Sequence, residues 1–422
     1  MLTTDATKSW TLPEKIIFRF LFIFLGYFLL DYEFGLTLVD LGFFKTLTII
    51  FGAMSQPLFW IDQHLFHIGY NPDIHQSFPG DSYFGAVYTL SIITLTVIIV
   101  IIWSVLDRRR KNYHQLNYWF RLYIRYIVAL VVFSYGMEKV IPVQMSYPGI
   151  TDLLTPMGDE TRFNVVWNFI GASPGYEKFT GICEVTASLL LLFNRTYVFG
   201  SLVMCTILTN VVALNHFYNI GVVFYSSLLL SSTLYLLLPF LSRFFRLLFR
   251  GDAVTLTEKH YRFERSWKKY LVLMLGVAIP LCSCINSIYS SQTYYNKVQA
   301  QAKDQKLYNV TSFVAKDTLP ALLTDTLRWR RFAFISNKNA AVYSMQDKSS
   351  EYDCDIDSVK HTCRLHDNDD STKWDIMHYS YPQKDMLQFS GSWKGTDVHI
   401  LMKEVPIDSM QLNKEKLKFL QD

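Results

Sequence analysis

The sequence predicts a polytopic α-helical membrane bundle of about seven spans, followed by a C-terminal antiparallel β domain that is a small barrel or sandwich. Two observations carry this prediction. Of the 422 residues, 50% are hydrophobic and 16% aromatic, and the apolar residues form blocks of about 20, the helix length that crosses a bilayer core. Beyond Tyr308 the hydrophobic period changes to two and short polar turns intervene, which is typical of antiparallel strands.

The charge balance favours a lipid bilayer as partner and disfavours nucleic acid. The formal net charge is only +4, and we find no nucleic-acid-binding module. The charged residues lie mostly between the apolar blocks or after Gln292. We therefore expect an integral membrane protein with a soluble C-terminal domain.

Two basic segments predict the orientation. Asp107-Arg108-Arg109-Arg110-Lys111 directly follows one apolar block, and a second cluster runs from Arg243 to Lys269 and includes Lys259, Arg262 and Arg265. Lys and Arg are enriched in cytoplasmic loops. This places the amino terminus inside and the C-terminal domain in the periplasm or outside the cell, in a multi-pass protein of the inner (cytoplasmic) membrane.

The domain organisation follows from these blocks. Residues 36–60 are apolar but interrupted by Asp40, Lys45 and Pro57. We favour helices at the outer interface there over a further span, since a span would move the amino terminus outside. The predicted domains are 1–119 (N-terminal helices, the outer interfacial segment and the basic loop), 120–241 (four membrane helices), 242–267 (a basic linker), 268–290 (the last membrane helix) and 291–422 (the extracytoplasmic β domain).

Polar residues at membrane depth mark the candidate site. The stretch Ser134–Gln144 ends an apolar helix with a glutamate, a lysine and a glutamine. Charged groups in a membrane are costly and usually face a bundle interior or a cavity. Two interpretations stay open: a satisfied interhelical network, with Lys139 paired to Glu184 or Glu138, or a pocket for a small ligand. The predicted topology puts the following residues in the outer half of the bilayer: Glu138, Lys139, Glu184, Asn210, Asn215 and His216.

Two further clusters have chemical potential. His64 and His67 stand three residues apart beside Asp62, but we favour solvated loop histidines over a metal site. Cys354 and Cys363 flank a predicted hairpin turn in the β domain. An oxidising compartment favours a disulfide between them, with two free thiols as the alternative. The other four cysteines lie in apolar segments, where they pack as small hydrophobes.

Several motifs of the central region occur in an order that marks a family. In chain order they are the Gly80-Asp81 turn, Asp107–Arg110, Arg125–Gln144, Pro156-Met157-Gly158, Trp167 with Phe169–Tyr176, Phe179 with Gly181 and Glu184, Asn210-Val211-Val212 and Leu214-Asn215. Together they resemble the DoxX-like integral membrane protein family, in a long bacterial version with an extra C-terminal soluble domain. The resemblance covers roughly residues 78–240 and implies a four-helix membrane core at 120–241. It supports Glu138, Lys139, Gln144, Glu184 and Asn215 as site candidates.

Two functions are expected from these observations. Some members of the family are subunits of thiosulfate:quinone oxidoreductase, but this chain has no cysteine pair for thiosulfate chemistry, so only the link to quinones is retained. The first hypothesis is a pocket that binds a quinone or another amphipathic ligand in a redox-linked role. The alternative is a non-enzymatic scaffold or accessory subunit whose outer β domain docks a partner protein. Enzymatic activity stays open.

Overall fold

The computed structural model describes residues 9–40, 44–71, 81–254, 266–315, 322, 324–367 and 374–414. For residues 31–40, 44–52, 266–273, 275, 276, 279 and 414 it describes the backbone alone. The predictions that concern Gly80, Lys259, Arg262 and Arg265 fall outside these residues. The chain forms two compact units, the bundle unit (Met1–Ile141 and Lys178–Ser291) and the barrel unit (Pro142–Glu177 and Gln292–Asp422).

Helices dominate the first two thirds of the chain. Four helical stretches in the described ranges are long and apolar enough to cross a membrane: Tyr83–Leu106, His114–Val140, Tyr197–Phe217 and Val223–Arg250. The last of them begins with α9 and continues through α10 and the helical turn that follows it. The predicted membrane-helical class is confirmed, and the three remaining spans stay predictions. The α-helices are α1 (Leu12–Asp40), α2 (Phe44–Ile61), α3 (Tyr83–Leu106), α4 (His114–Val140), α5 (Ile150–Leu154), α6 (Arg162–Gly171), α7 (Pro174–Leu192), α8 (Tyr197–Phe217), α9 (Val223–Leu237), α10 (Leu241–Phe245), α11 (Ser266–Ala302) and α12 (Gln411–Lys414).

Within the region 36–60, residues 36–40 and 44–60 are helical in the structure. It holds the end of α1 and nearly all of α2, which contains Pro57. Directly after α2, the fully buried carboxylate of Asp62 accepts the backbone N–H groups of Ile68, Gly69 and Tyr70 at 2.8–3.0 Å. Asp62 thereby organises the turn that follows, which gives it a structural role beside the histidines.

Helix α3 begins with a side-chain cap. The Ser82 hydroxyl accepts the N–H of Gly85 at 3.0 Å and caps the helix. Asp81 has a different partner, because its carboxylate accepts the N–H groups of Val223 and Phe224 at 2.5 and 3.0 Å. A carboxylate at a helix N-terminus satisfies free donors and complements the helix dipole. Asp81 therefore joins the start of α3 to the start of α9.

The C-terminal domain is a closed eight-stranded antiparallel barrel in which each strand pairs with its sequence neighbours and β1 pairs with β8. This decides between the predicted barrel and sandwich. Lys394 and Gly395 both have positive φ between β7 and β8, the geometry of a two-residue hairpin turn. The strands are β1 (Lys306–Val314), β2 (Trp329–Phe334), β3 (Asn339–Ser344), β4 (Ser349–Asp357), β5 (Thr362–Asp367), β6 (Trp374–Ser380), β7 (Met386–Trp393) and β8 (Thr396–Val405).

Large side chains fill the barrel interior. Trp329 stacks on Phe332 with ring centroids 5.5 Å apart and meets Trp393 edge-on at 4.8 Å. Phe332 and Phe389 are fully buried. An eight-stranded barrel is just wide enough for its own side chains to fill it, so this one has a packed core.

Residues 142–177 group with the barrel, whereas the sequence analysis assigned them to the membrane core. Ile150 of α5 is buried in a cluster with Leu307, Ala333, Ala341 and Tyr343, on strands β1 to β3. The alternation of a strand gives each of its faces a separate set of side chains. Strands β1 to β3 therefore carry a second apolar face besides the one in the barrel interior, and residues 142–177 cover it.

Candidate functional site

Two glycines let helices α4 and α7 touch. A Cβ atom on Gly181 would lie 2.6 Å from the carbonyl oxygen of Gly136, and a Cβ atom on Gly136 would lie 2.9 Å from Val185 Cγ2. Small residues at a crossing allow helix backbones in a membrane to approach closely. The site is built on this contact.

Lys139 and Glu184 form an ion pair beside the crossing. Each lies three residues beyond its glycine, in Gly136–Lys139 and Gly181–Glu184, so about one helical turn along the same face. Lys139 Nζ donates to both carboxylate oxygens of Glu184, at 2.8 and 2.7 Å. The exposed fractions are 9% for Lys139 and 4% for Glu184. The structure thus selects Glu184 over Glu138 as the partner in the predicted pair.

The pair leaves one donor of the lysine unused. A lysine ammonium has three N–H donors, and two of its hydrogen bonds go to Glu184. Within the described residues, the third N–H has no protein acceptor. An acceptor oxygen that reached Nζ would complete its hydrogen bonding without breaking the pair.

The other site candidates have their own contacts and degrees of burial. Asn215 is buried, and its side-chain amide donates to the hydroxyl of Ser226 at 3.0 Å, which joins α8 to α9. Asn210 and His216 are exposed on α8, and Glu138 is half-buried. Gln144 belongs to the barrel unit, where its backbone carbonyl accepts the indole N–H of Trp167 at 3.0 Å.

One buried carboxylate, that of Glu177 in the segment 142–177, was not among the residues that the sequence singled out. Glu177 is fully buried, and its carboxylate accepts the N–H of Met145 at 3.0 Å. A Cβ atom on Gly171 would lie 2.4 Å from the carbonyl oxygen of Ser146. The sequence does contain a sign of this contact. Glu177 is an acidic residue in the first turn of α7, which begins at Pro174, and a carboxylate there is favourable to the helix dipole.

The first basic segment and the part of the second that the structure describes after α9, residues 243–250, lie at one end of the bundle. The Tyr235 hydroxyl near the end of α9 donates to Asn117 Oδ1 near the start of α4, at 2.6 Å. The loop 107–111 precedes α4, and residues 243–250 follow α9, so both segments share this end. The bonds of Asp81 to the start of α9 mark the opposite end.

The two barrel cysteines lie close together in the structure as free thiols. The register pairs Cys354 with Leu365 and Ile356 with Cys363, so the cysteines are diagonal neighbours on one face. Their Sγ atoms are 3.5 Å apart and both residues are buried. The hydrogen bond to Cys354 and burial raise the pKa of the Cys363 thiol.

Comparison with known proteins gives a partial relative. No family model matches the chain, and no solved structure matches it. Over 113 residues the chain is 34% identical to a protein of Bacillus subtilis (strain 168) described as uncharacterized protein YwoB. The match covers 27% of this chain and 71% of that protein. The chain therefore belongs to the same family as YwoB.

Proposed function

We propose that this protein is a multi-pass protein of the cytoplasmic membrane whose Lys139–Glu184 pair binds the polar head of a quinone or another amphipathic ligand. The observation that carries the proposal is the third N–H of Lys139, which has no acceptor in the described part of the chain. A quinone carbonyl is an acceptor of the right kind. The resemblance of roughly residues 78–240 to the DoxX-like family supports the same ligand class.

The energetics of the pair favour a ligand over a purely structural role. Transfer of two charges from water into a low-dielectric interior offsets much of their mutual attraction, so a buried ion pair is weak evidence for stability. Ionisable groups within membrane helices are by default candidates for function. Phe179 and Ile182 of α7 are exposed on the face of the helix that points away from Glu184, and they offer an apolar surface for an isoprenoid tail.

The proposed orientation follows from the basic end of the bundle. Arg108, Arg109 and Arg110 are exposed at the end of α3, and positive residues of this kind favour the cytoplasmic side. The Lys139–Glu184 pair is near the other end of α4, so it faces the outer half of the bilayer. The barrel is then extracytoplasmic, where an oxidising compartment favours the disulfide between Cys354 and Cys363.

The test is a titration of the purified full-length protein in neutral detergent with a short-chain menaquinone, followed by thermal shift and tryptophan fluorescence. We expect saturable binding that weakens at least tenfold in the double variant Lys139→Gln/Glu184→Gln, since a hydrogen bond from a charged donor contributes about 1.5–3 kcal/mol. The paired amides keep the helices bridged without charge. Lys178→Gln is the matched control, because Lys178 is an exposed lysine on α7, the helix that carries Glu184. Equal affinity of the wild type and the double variant would refute the ligand site.

A scaffold role is the second candidate, and the barrel surface favours it. The barrel interior is filled, while Trp374 and Ile376 on β6 are 48% and 50% exposed and Val359 at the β4–β5 hairpin is 90% exposed. Exposed apolar side chains that cluster mark interaction sites. Co-purification of a partner from membranes by the intact chain, but not by a chain without residues 308–422, would favour the scaffold. Survival of menaquinone binding in the truncated chain would favour the bundle pocket.

A further inference from the structure

A second buried charge lies at the basic end of the bundle, and the proposed pocket does not use it. Arg125 stands on α4 fourteen residues before Lys139, about 21 Å along the helix axis. It is 6% exposed and lines a cleft together with Arg121, Asn194 and Tyr197. The cleft is partly open, and its cavity volume is about 20 Å³.

The guanidinium of Arg125 is incompletely satisfied. Nη1 donates to Asn194 Oδ1 at 2.7 Å, and Nη2 makes a long bond of 3.5 Å to the carbonyl of Leu192. Nε is buried without a hydrogen-bond partner among the described residues. Both of these acceptors are neutral, and no carboxylate of the described chain lies within 4.0 Å of Arg125. Its charge therefore has no counter-ion there, which is costly at this burial.

Arg19 shows how the same bundle treats an arginine with a structural role. Its Nε and Nη2 donate to the hydroxyl of Tyr113 at 2.9 and 2.7 Å, and Nη1 donates to Ser104 at 2.7 Å. Tyr113 in turn donates to the carboxylate of Asp107 at 2.8 Å. Each of the three guanidinium nitrogens of Arg19 has a hydrogen-bond partner, and the Asp107 carboxylate bound to Tyr113 supplies a nearby negative charge. Arg125 differs in both respects: its Nε has no hydrogen-bond partner among the described residues, and no carboxylate of the described chain is near it.

The surroundings of Arg125 fit an anion. Arg121, one turn earlier on α4, donates to the carbonyl of Leu236 at 2.8 Å, and like charges four residues apart on a helix repel each other. The Tyr197 ring lies 5.2 Å from the Arg125 guanidinium and holds it in place. A guanidinium with free donors recognises phosphate oxygens. Basic pockets between membrane helices on the cytoplasmic side bind anionic lipid head groups.

We propose that the Arg125 cleft is a phosphate-binding site, which takes the head-group phosphate of an anionic phospholipid or a free phosphate ion. The site is separate from the Lys139–Glu184 pair, and neither depends on the other. The bound phosphate supplies the counter-ion and an acceptor for Arg125 Nε. The shared chemistry is a phosphate oxyanion, and the two sources are distinguished by experiment.

The test uses the full-length protein, stripped of lipid in neutral detergent. Binding of phosphatidylglycerol and of phosphatidylcholine is measured by native mass spectrometry, and inorganic phosphate is added as competitor. We expect phosphatidylglycerol to bind at least tenfold more tightly than phosphatidylcholine. Competition by millimolar phosphate would assign the site to the phosphate group alone, and its failure would assign the site to the whole head group.

Two variants make the test specific. Arg125→Gln removes the charge, while Asn194→Asp places a carboxylate within reach of Arg125 Nη1 and supplies an internal counter-ion. Each is expected to weaken phosphatidylglycerol binding at least tenfold, and Asn194→Asp should melt no lower than the lipid-free wild type, so it tests the site even if Arg125→Gln does not fold. Arg195→Gln, an exposed arginine next to Asn194, should bind as the wild type does. Equal binding by the wild type and Asn194→Asp, or no preference over phosphatidylcholine, would overturn the proposal.

Discussion

The carbonyl oxygen of Gly136 on α4 lies only 2.6 Å from the position that a Cβ atom on Gly181 of α7 would occupy. The two backbones are therefore in direct contact. This contact brings Lys139 and Glu184 within hydrogen-bond distance of each other, at 2.7 and 2.8 Å. A substitution that separates the two helices is therefore expected to weaken the ion pair as well.

Gly181→Ala is expected to destabilise the bundle. The added methyl group would meet the Gly136 carbonyl oxygen at 2.6 Å and the Val140 nitrogen at 2.8 Å. Because these are backbone atoms, the helices must separate, at a cost of about 1–3 kcal/mol. Thermal unfolding in detergent measures the loss. Gly26→Ala is the control, since its Cβ would be 3.7 Å from Phe120 and the higher helix propensity of alanine should stabilise.

Lys139→Met alone should destabilise more than Lys139→Met/Glu184→Leu. Loss of one partner leaves an uncompensated buried charge, which costs about 3–5 kcal/mol, whereas an apolar pair of similar volume is often neutral. Equilibrium unfolding of the two single variants and the double variant gives the coupling energy. Additive losses would show that the two side chains do not interact.

Tyr343 makes the barrel sensitive to alkali. Burial raises its pKa from the usual 10 to about 12, so the unfolded chain releases this proton at a lower pH than the folded chain. The stability from Tyr343 is complete below pH 10 and is lost as the pH rises towards 12. Tyr343→Phe should reduce the loss of stability between pH 10 and 12, with Tyr294→Phe, an exposed tyrosine, as control. Denaturant unfolding of the full chain across this range measures the effect.

The proposed disulfide between Cys354 and Cys363 is testable by mass. Protein purified from the envelope without reductant should be 2 Da lighter, because two hydrogens are lost, and both cysteines should resist alkylation until reduction. A loop of this size predicts about 2–3 kcal/mol of added stability. Cys282→Ala, which removes an exposed cysteine of α11, should change neither result. Alkylation of both thiols in the native, unreduced protein after unfolding would show that no bridge exists.

Labelling of single cysteines tests the orientation. An impermeant maleimide applied from outside should modify a cysteine placed at Val359, at the exposed tip of the β4–β5 hairpin, and should not modify one placed at Arg109. Both positions are exposed, so accessibility in the folded chain is matched. The reverse pattern would invert the proposed topology and place the barrel in the cytoplasm.

The barrel was predictable because its information is local. Alternation in Val398, Ile400 and Met402 identified a strand with one buried face, and all three are fully buried. Period-two patterning sets which face turns inward. Closure of the sheet was not predictable, because the pairing of β1 with β8 joins residues more than 80 positions apart and depends on tilt and stagger accumulated over all strands.

The sequence by itself determined the membrane blocks, the basic segments, the strand pattern and the unusual charges at Glu138, Lys139 and Glu184, because each depends on composition over a short window. Only the tertiary structure decided that Lys139 pairs with Glu184, that Asn215 binds Ser226, and that residues 142–177 pack on the barrel. It also revealed Arg125 as a charge without a counter-ion among the described residues. Such facts depend on which helix faces meet, and that is set by packing between segments far apart in the chain.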